Sequence, residues 1–201
     1  AMVLAFVPAM GANAAASEGK TYTVIAGSDF QYSNSDHGIA GGHVRNILAT
    51  IKNQGFESYD GLLFCGDYSQ AFTTAASKEG VAHLKNVINE ELPTLSNDHK
   101  FFLQGNHDMD EETTDGTLIP SGAHETEAYS VFAINEKDYN WYNDSEATIK
   151  ATASNLRSYL NAKCRAGYTK PIFIMSHIQL HYSMRTYGSG DGKYADYLFD
   201  V

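Results

Sequence analysis

Basic residues are scarce in this chain. Fourteen Lys and Arg face 24 Asp and Glu, for a formal net charge of -10. Duplex binding leans on Lys and Arg to neutralise phosphates, so bulk attraction to nucleic acid is disfavoured. A small phosphate ester stays open as a partner, because bound cations reverse the local sign. Cysteine is nearly missing, with only Cys65 and Cys164. No Cys-x-x-Cys occurs, which leaves zinc-finger and thioredoxin-type readings without support. One disulfide is open to the pair, but their positions in a core strand and near a helix end favour two buried thiols. No Gly-x-Gly-x-x-Gly follows the first expected strand, so a dinucleotide-binding oxidoreductase fails. Gly188–Lys193 is one residue short of a P-loop, and Tyr194 stands where a Ser or Thr would meet magnesium. Met109-Asp110-Glu111-Glu112 lacks the spacing and glycine of an EF-hand, and reads as part of a polar loop. No apolar run is long enough to span a bilayer, so no transmembrane helix is expected. There is no internal repeat or low-complexity block.

What is present fits a globular domain. The chain has 201 residues, 43% hydrophobic and 19% charged, enough for one domain with a real core. Met2 to Met10 is apolar, and the small residues Gly11 to Ser17 follow. This pattern reads as an h-region with an Ala-x-Ala cleavage site, or else as a flexible alanine-rich tail. The export reading makes residues 1–16 a partial signal peptide, residues 20–201 the domain, and the protein exported to the periplasm, cell surface or exterior. The basic n-region and an initial Met are lacking, so the sequence reads as a fragment that has lost its start.

Short apolar runs alternate with helical patterns. Tyr22 to Asp29 is rich in β-formers. Val44, Ile47, Leu48 and Ile51 recur on one helical face. Gly61 to Asp67 is a second strand. Val81, Leu84, Ile88 and Leu92 form a second helical face closed by Pro93. Lys100 to Leu103 is a third strand. Met109 to Glu127 is expected as a loop over the site, and Ala128 to Ile134 as a strand. Tyr139, Trp141 and Tyr142 form an aromatic cluster for substrate stacking or for packing at a sheet end. Ile149, Ala153, Leu156 and Leu160 mark a third helix, and Pro171 to His177 a last strand. The alternation predicts an α/β fold with a parallel sheet and right-handed crossovers.

Four of these strands end in groups that bind metal or move protons: Asp29, Asp67, Asn106-His107 and His177. The first two intervals are roughly 40 residues, the length of one strand-helix unit. A parallel sheet would gather all four ends at its carboxyl edge, where open α/β sheets hold ligands. Carboxylate, amide and imidazole together suit borderline divalent ions such as manganese, iron or zinc. Two ions about 4 Å apart would clamp an in-line displacement and turn bound water into hydroxide near neutral pH. A nearby imidazole would stabilise charge or protonate the leaving oxygen. His37, His43, His83, His99 and His124 are expected at the surface.

Ser28-Asp29, Gly66-Asp67, Gly105-Asn106-His107-Asp108 and His177, in this order, resemble the calcineurin-like metallophosphoesterases. The resemblance runs from about Tyr22 to His181. It implies an α/β sandwich with parallel-rich sheets flanked by helices. It also implies a dinuclear site that hydrolyses phosphate mono- or diesters with a bridging hydroxide. By the resemblance Asp67 bridges two divalent ions, Asp29 sits on the first, and Asn106 and His177 bind the second. His107 faces the scissile phosphate as acid or charge stabiliser, oriented by Asp108. The family's first motif is usually Asp-x-His, whereas this chain has Asp29-Phe30-Gln31; Gln31 offers an amide oxygen as a weaker, harder ligand. The family closes with Gly-His-x-His, and none follows His177 before Val201, so the domain reads as cut at its C-terminus and weak or inactive as it stands. His181 and Tyr182 are expected to border the substrate side. The alternative is a non-catalytic binding or scaffold domain with an incomplete metal site.

Overall fold

The computed structural model describes residues 4–8, 21–33, 39–109, 111–138 and 145–178. Two compact units divide the chain, Ala1–Ile119 and Pro120–Val201. In the first unit the N-terminal apolar residues supply β1 (Leu4–Pro8), antiparallel to β2 (Thr23–Gly27). An h-region and an edge strand draw on the same apolar residues, so this pairing leaves the export reading as it was. The expected cleavage sites lie outside the described residues.

Two further strands, β3 (Gly61–Phe64) and β4 (Lys100–Phe102), run parallel to β2 in the order β1-β2-β3-β4. The crossovers are α1 (Ile39–Asn53) and α2 (Thr74–Glu91). The chain is thus α/β, with three parallel strands and connecting helices. Every residue of β3 is buried, which is why it reads as an unbroken apolar run. α2 begins where the Thr73 hydroxyl accepts the Ala76 N–H, and it stops before Pro93. Its buried face carries Ser77, Val81, Leu84 and Ile88, at helical spacing. Leu84 meets Val44 and Leu48 of α1 and Ile25, Leu62 and Phe64 of the sheet in one core. Full burial of a leucine such as Leu84 stabilises the unit by roughly 1.5–3 kcal/mol.

In the second unit β6 (Ser130–Ile134) is central. It pairs antiparallel with β5 (Gly122–Glu125) and parallel with β7 (Ile172–Ser176), reached through α4 (Glu146–Arg165). Ser145 caps α4 by accepting the Thr148 N–H. Ile149, Ala153 and Leu156 of α4 pack with Phe132, Ile134 and Ile178.

The expected loop from Met109 to Glu127 contains two elements instead, α3 (Glu111–Thr114) and β5. β5 has no β-branched residue and is half exposed in alternation. It is a strand because β6 offers it an edge, a cause that lies outside its own residues. Tyr139, Trp141 and Tyr142 lie outside the described residues. Cys65 is half-buried and Cys164 exposed, both as thiols, so burial is not what the two share. No helix among the described residues is long and apolar enough to cross a membrane.

Candidate functional site

The strands of the first sheet end earlier than their apolar runs suggest, because the backbone turns left-handed beyond them. Gly66 has φ 85°, and three non-glycine residues follow suit: Asp29 (φ 59°), Gln31 (φ 47°) and Asp67 (φ 60°). These three are the non-glycine residues with positive φ among those described. Each costs roughly 1–2 kcal/mol relative to a right-handed backbone. Strain of this kind persists only where the surroundings over-determine it.

The surroundings do so here. Beyond the ends of β2 and β3 the two loops go on pairing: Asp29 N–H to Gly66 O (3.0 Å), Gln31 N–H to Asp67 O (2.9 Å), and Tyr32 N–H to Tyr68 O (2.9 Å). Gln70 N–H then returns to Tyr32 O (3.1 Å). The third loop, after β4, presses against the second. A Cβ on Gly66 would lie 2.4 Å from Gly105 N, and one on Gly105 would lie 2.3 Å from Asp67 Oδ1. Both glycines are demanded by this contact, which explains Gly66 before Asp67 and Gly105 before Asn106.

Asp29 and Asp67 are brought together by the ladder. A carboxylate oxygen of one lies within 4.8 Å of a carboxylate oxygen of the other. Asp67 is buried and Asp29 half-buried. Asp67 Oδ1 accepts the His107 N–H (3.0 Å), and Ser28 donates its hydroxyl to Asp29. Asn106 and His107 occupy the turn closed by Asp108 N–H to Gly105 O (3.2 Å).

Asp108 does something other than orient the imidazole. Its Oδ2 accepts the N–H groups of Asp67 (2.9 Å) and Gly105 (2.8 Å). Its Oδ1 accepts Tyr68 N–H (3.2 Å) and the Ser77 hydroxyl (2.8 Å). Four donors fill this buried carboxylate, which ties the loops after β3 and β4 to α2. The His107 ring is set by different groups. Its Nδ1 is 3.2 Å from the Gln70 carbonyl, and Nε2 is 3.8 Å from Asp67 Oδ2. A carbonyl only accepts, so Nδ1 carries the proton and Nε2 is the working atom. The expectation that Asp108 orients His107 is therefore corrected: Gln70 holds the ring, and Asp108 holds the backbone.

Gln31 presents its side-chain oxygen to Gln70 Nε2 (2.8 Å). That oxygen, expected as a metal ligand, is engaged in joining the two loops. His177 is half-buried and directly follows β7. Asp29, Asp67 and Asn106 follow strands of the first sheet, whereas His177 ends a strand of the second. A single sheet does not gather all four ends, because the β5–β6 pair starts a new sheet whose free edge takes β7. His181 and Tyr182 lie outside the described residues.

Several site residues escaped the reading of motifs. Tyr68 is fully buried and donates to the carbonyls of Phe64 (3.2 Å) and Leu103 (2.9 Å), bridging β3 to the end of β4. Burial, and then the neighbouring Asp108 charge, hold its phenol well above the ordinary tyrosine range. Ser77, Gln70 and Phe72 also belong to the site, and only their closeness to Gly66-Asp67 in sequence could have flagged them. His83, expected at the surface, stacks on Phe30 and lies tilted against Tyr32. His37 lies outside the described residues.

We compared the chain with models of known protein families and with curated protein sequences. No family model matches, and no curated sequence matches.

Proposed function

We propose that this chain is a metal-dependent phosphoesterase of the calcineurin-like type, with that family's α/β sandwich, acting on a small phosphate mono- or diester. The observation that carries this reading is the pair Asp29 and Asp67. Two carboxylates within 4.8 Å repel each other by on the order of 3 kcal/mol at an effective dielectric of about 20. Both stand on left-handed backbone that the fold strains to keep. A fold that strains itself to bring like charges together fits a cation between them. The donor set of two carboxylates and an amide suits divalent manganese, iron or zinc. Asp29, Asp67 and Asn106 would hold two ions, with His177 as the imidazole ligand read from the sequence. Such ions would supply Lewis acidity toward phosphoryl oxygens and a nucleophile from water near neutral pH.

The remaining chemistry falls to His107. Its Nδ1–H is held by the Gln70 carbonyl, which leaves Nε2 to act. Starting as imidazolium, Nε2 gives its proton to the leaving oxygen as the P–O bond breaks. The neutral Nδ1–H tautomer remains, still held by Gln70. Asp108 and Tyr68 keep the loops in register throughout. We further propose export of the protein on the strength of Met2–Met10 and the small residues after it. Cleavage there would leave β2 as the sheet edge.

A second reading has its own support. The Gln31 oxygen is engaged by Gln70 where the family usually has a metal-binding histidine. That favours a non-catalytic binding or scaffold domain. Manganese titration separates the readings. At 100 times its Kd a ligand stabilises by about 2.7 kcal/mol, a rise in Tm of roughly 5–10 °C for a chain this size. The enzyme reading expects this rise, its loss in Asp67→Asn, and manganese-dependent turnover of an aryl phosphate that is measurable but weak. It also expects His107→Ala to lose turnover and keep the rise. A rise without turnover selects a scaffold that still holds metal, no rise at all sinks the enzyme reading, and manganese-dependent turnover sinks the scaffold reading.

A further inference from the structure

Phe72 and Ile174 are the large hydrophobic side chains exposed among the described residues, and Phe72 is 61% accessible. It precedes the Thr73 cap of α2, where an apolar side chain ordinarily staples onto the fourth helical residue. That residue is Ser77, whose hydroxyl is given to Asp108, so the staple has no apolar partner. Phe72 lies instead on the imidazole of His107, with ring centroids 3.9 Å apart and planes 24° apart. The Gln70 carbonyl, two residues earlier, meets the same imidazole at Nδ1. One short segment thus sets both the tautomer of His107 and what covers one of its faces.

We propose that Phe72 is a specificity-determining residue that selects esters with a flat, apolar leaving group, aryl or arylmethyl. The proposal rests on the phosphoesterase reading of this site. An oxygen that takes the proton of Nε2 must stand about 3 Å from it. The group carried by that oxygen then lies within a ring's width of the phenyl that covers the imidazole. A flat apolar group can pack on the exposed ring, gaining the preference aromatic pairs have for each other. A short alkyl group finds little to touch.

Benzyl and ethyl phosphate test this, since their leaving alcohols are of similar acidity. In the manganese-loaded full chain, kcat/KM for the benzyl ester should exceed that for the ethyl ester. Phe72→Ala should cut the benzyl value by roughly three- to tenfold more than it cuts the ethyl value. Phe72→Tyr should keep the preference. An equal fall for both esters would make Phe72 a mere prop for His107 and overturn the proposal. Binding of benzylphosphonate and ethylphosphonate, followed by calorimetry, reads the same preference without turnover. Equal affinities for the two phosphonates overturn the role of Phe72 and leave the metal site standing. Absence of manganese-dependent binding of either phosphonate overturns the reading of the site itself.

Discussion

Replacing Asp108 by Asn keeps the shape of the side chain and changes what it can accept. The carboxylate takes two backbone N–H groups on Oδ2, and one N–H plus the Ser77 hydroxyl on Oδ1. An asparagine must point its NH2 at one of these pairs. The milder choice is the Oδ1 side, where the Ser77 hydroxyl can rotate to accept. Tyr68 N–H is then buried and unpaired, which costs about 1–3 kcal/mol. The two bonds left on the other oxygen lose their charge assistance, about 1 kcal/mol each. The sum is about 3–5 kcal/mol, which puts Asp108→Asn among the more damaging single substitutions. At 2–4 °C per kcal/mol, Tm should fall by roughly 6–20 °C. Thermal melts followed by circular dichroism, with urea titration beside them, read this directly. Manganese affinity should fall with it, because the bond that holds the Asp67 N–H is weakened. A variant melting within about 2 °C of the parent would refute the hydrogen-bond accounting. If that stable variant also lost turnover, Asp108 would act on His107 after all.

Two more perturbations probe the same region. Gly105→Ala puts a methyl 2.3 Å from Asp67 Oδ1 and 2.5 Å from Asp67 N; the loops must part, and manganese stabilisation should vanish even where circular dichroism shows folded protein. Glu112 is buried, and burial raises its pKa above the ordinary 4.5, with the Asp108 charge adding to it. Between 4.5 and the raised value the folded state binds more protons than the unfolded one, so stability falls as pH rises through that window. Glu112→Gln should flatten the fall in urea midpoint from pH 4.5 upward, and a slope equal to the parent's would count against this assignment.

In the first sheet β2, β3 and β4 were legible because their signals are local: each is an apolar run, and Val81, Leu84 and Ile88 keep helical spacing along α2. β1 was not, since its apolar residues read as an export signal. Asp29, Asp67, Asn106 and His107 stood out because polar groups directly follow apolar strands. What Asp108 does was not legible, since its partners Tyr68 and Ser77 lie 40 and 31 residues away in the chain. The same holds for Gln31, which reads as a ligand until Gln70 is seen 39 residues on. β5 was invisible for a related reason: its four residues carry no apolar alternation, and only pairing with β6 makes them a strand. The strand that carries His177 was misread on topology, because counting strand ends assumes one sheet where there are two.

Loops are where proteins usually gain and lose residues over evolutionary time. The segments after β2 and β3 have given up that freedom. They stay in register from Asp29 against Gly66 to Tyr32 against Tyr68 and Ser69. One residue added or deleted between Gly27 and Tyr32, or between Phe64 and Tyr68, would slide one carboxylate past the other. In descendants of this sequence, these few positions can therefore change only by substitution.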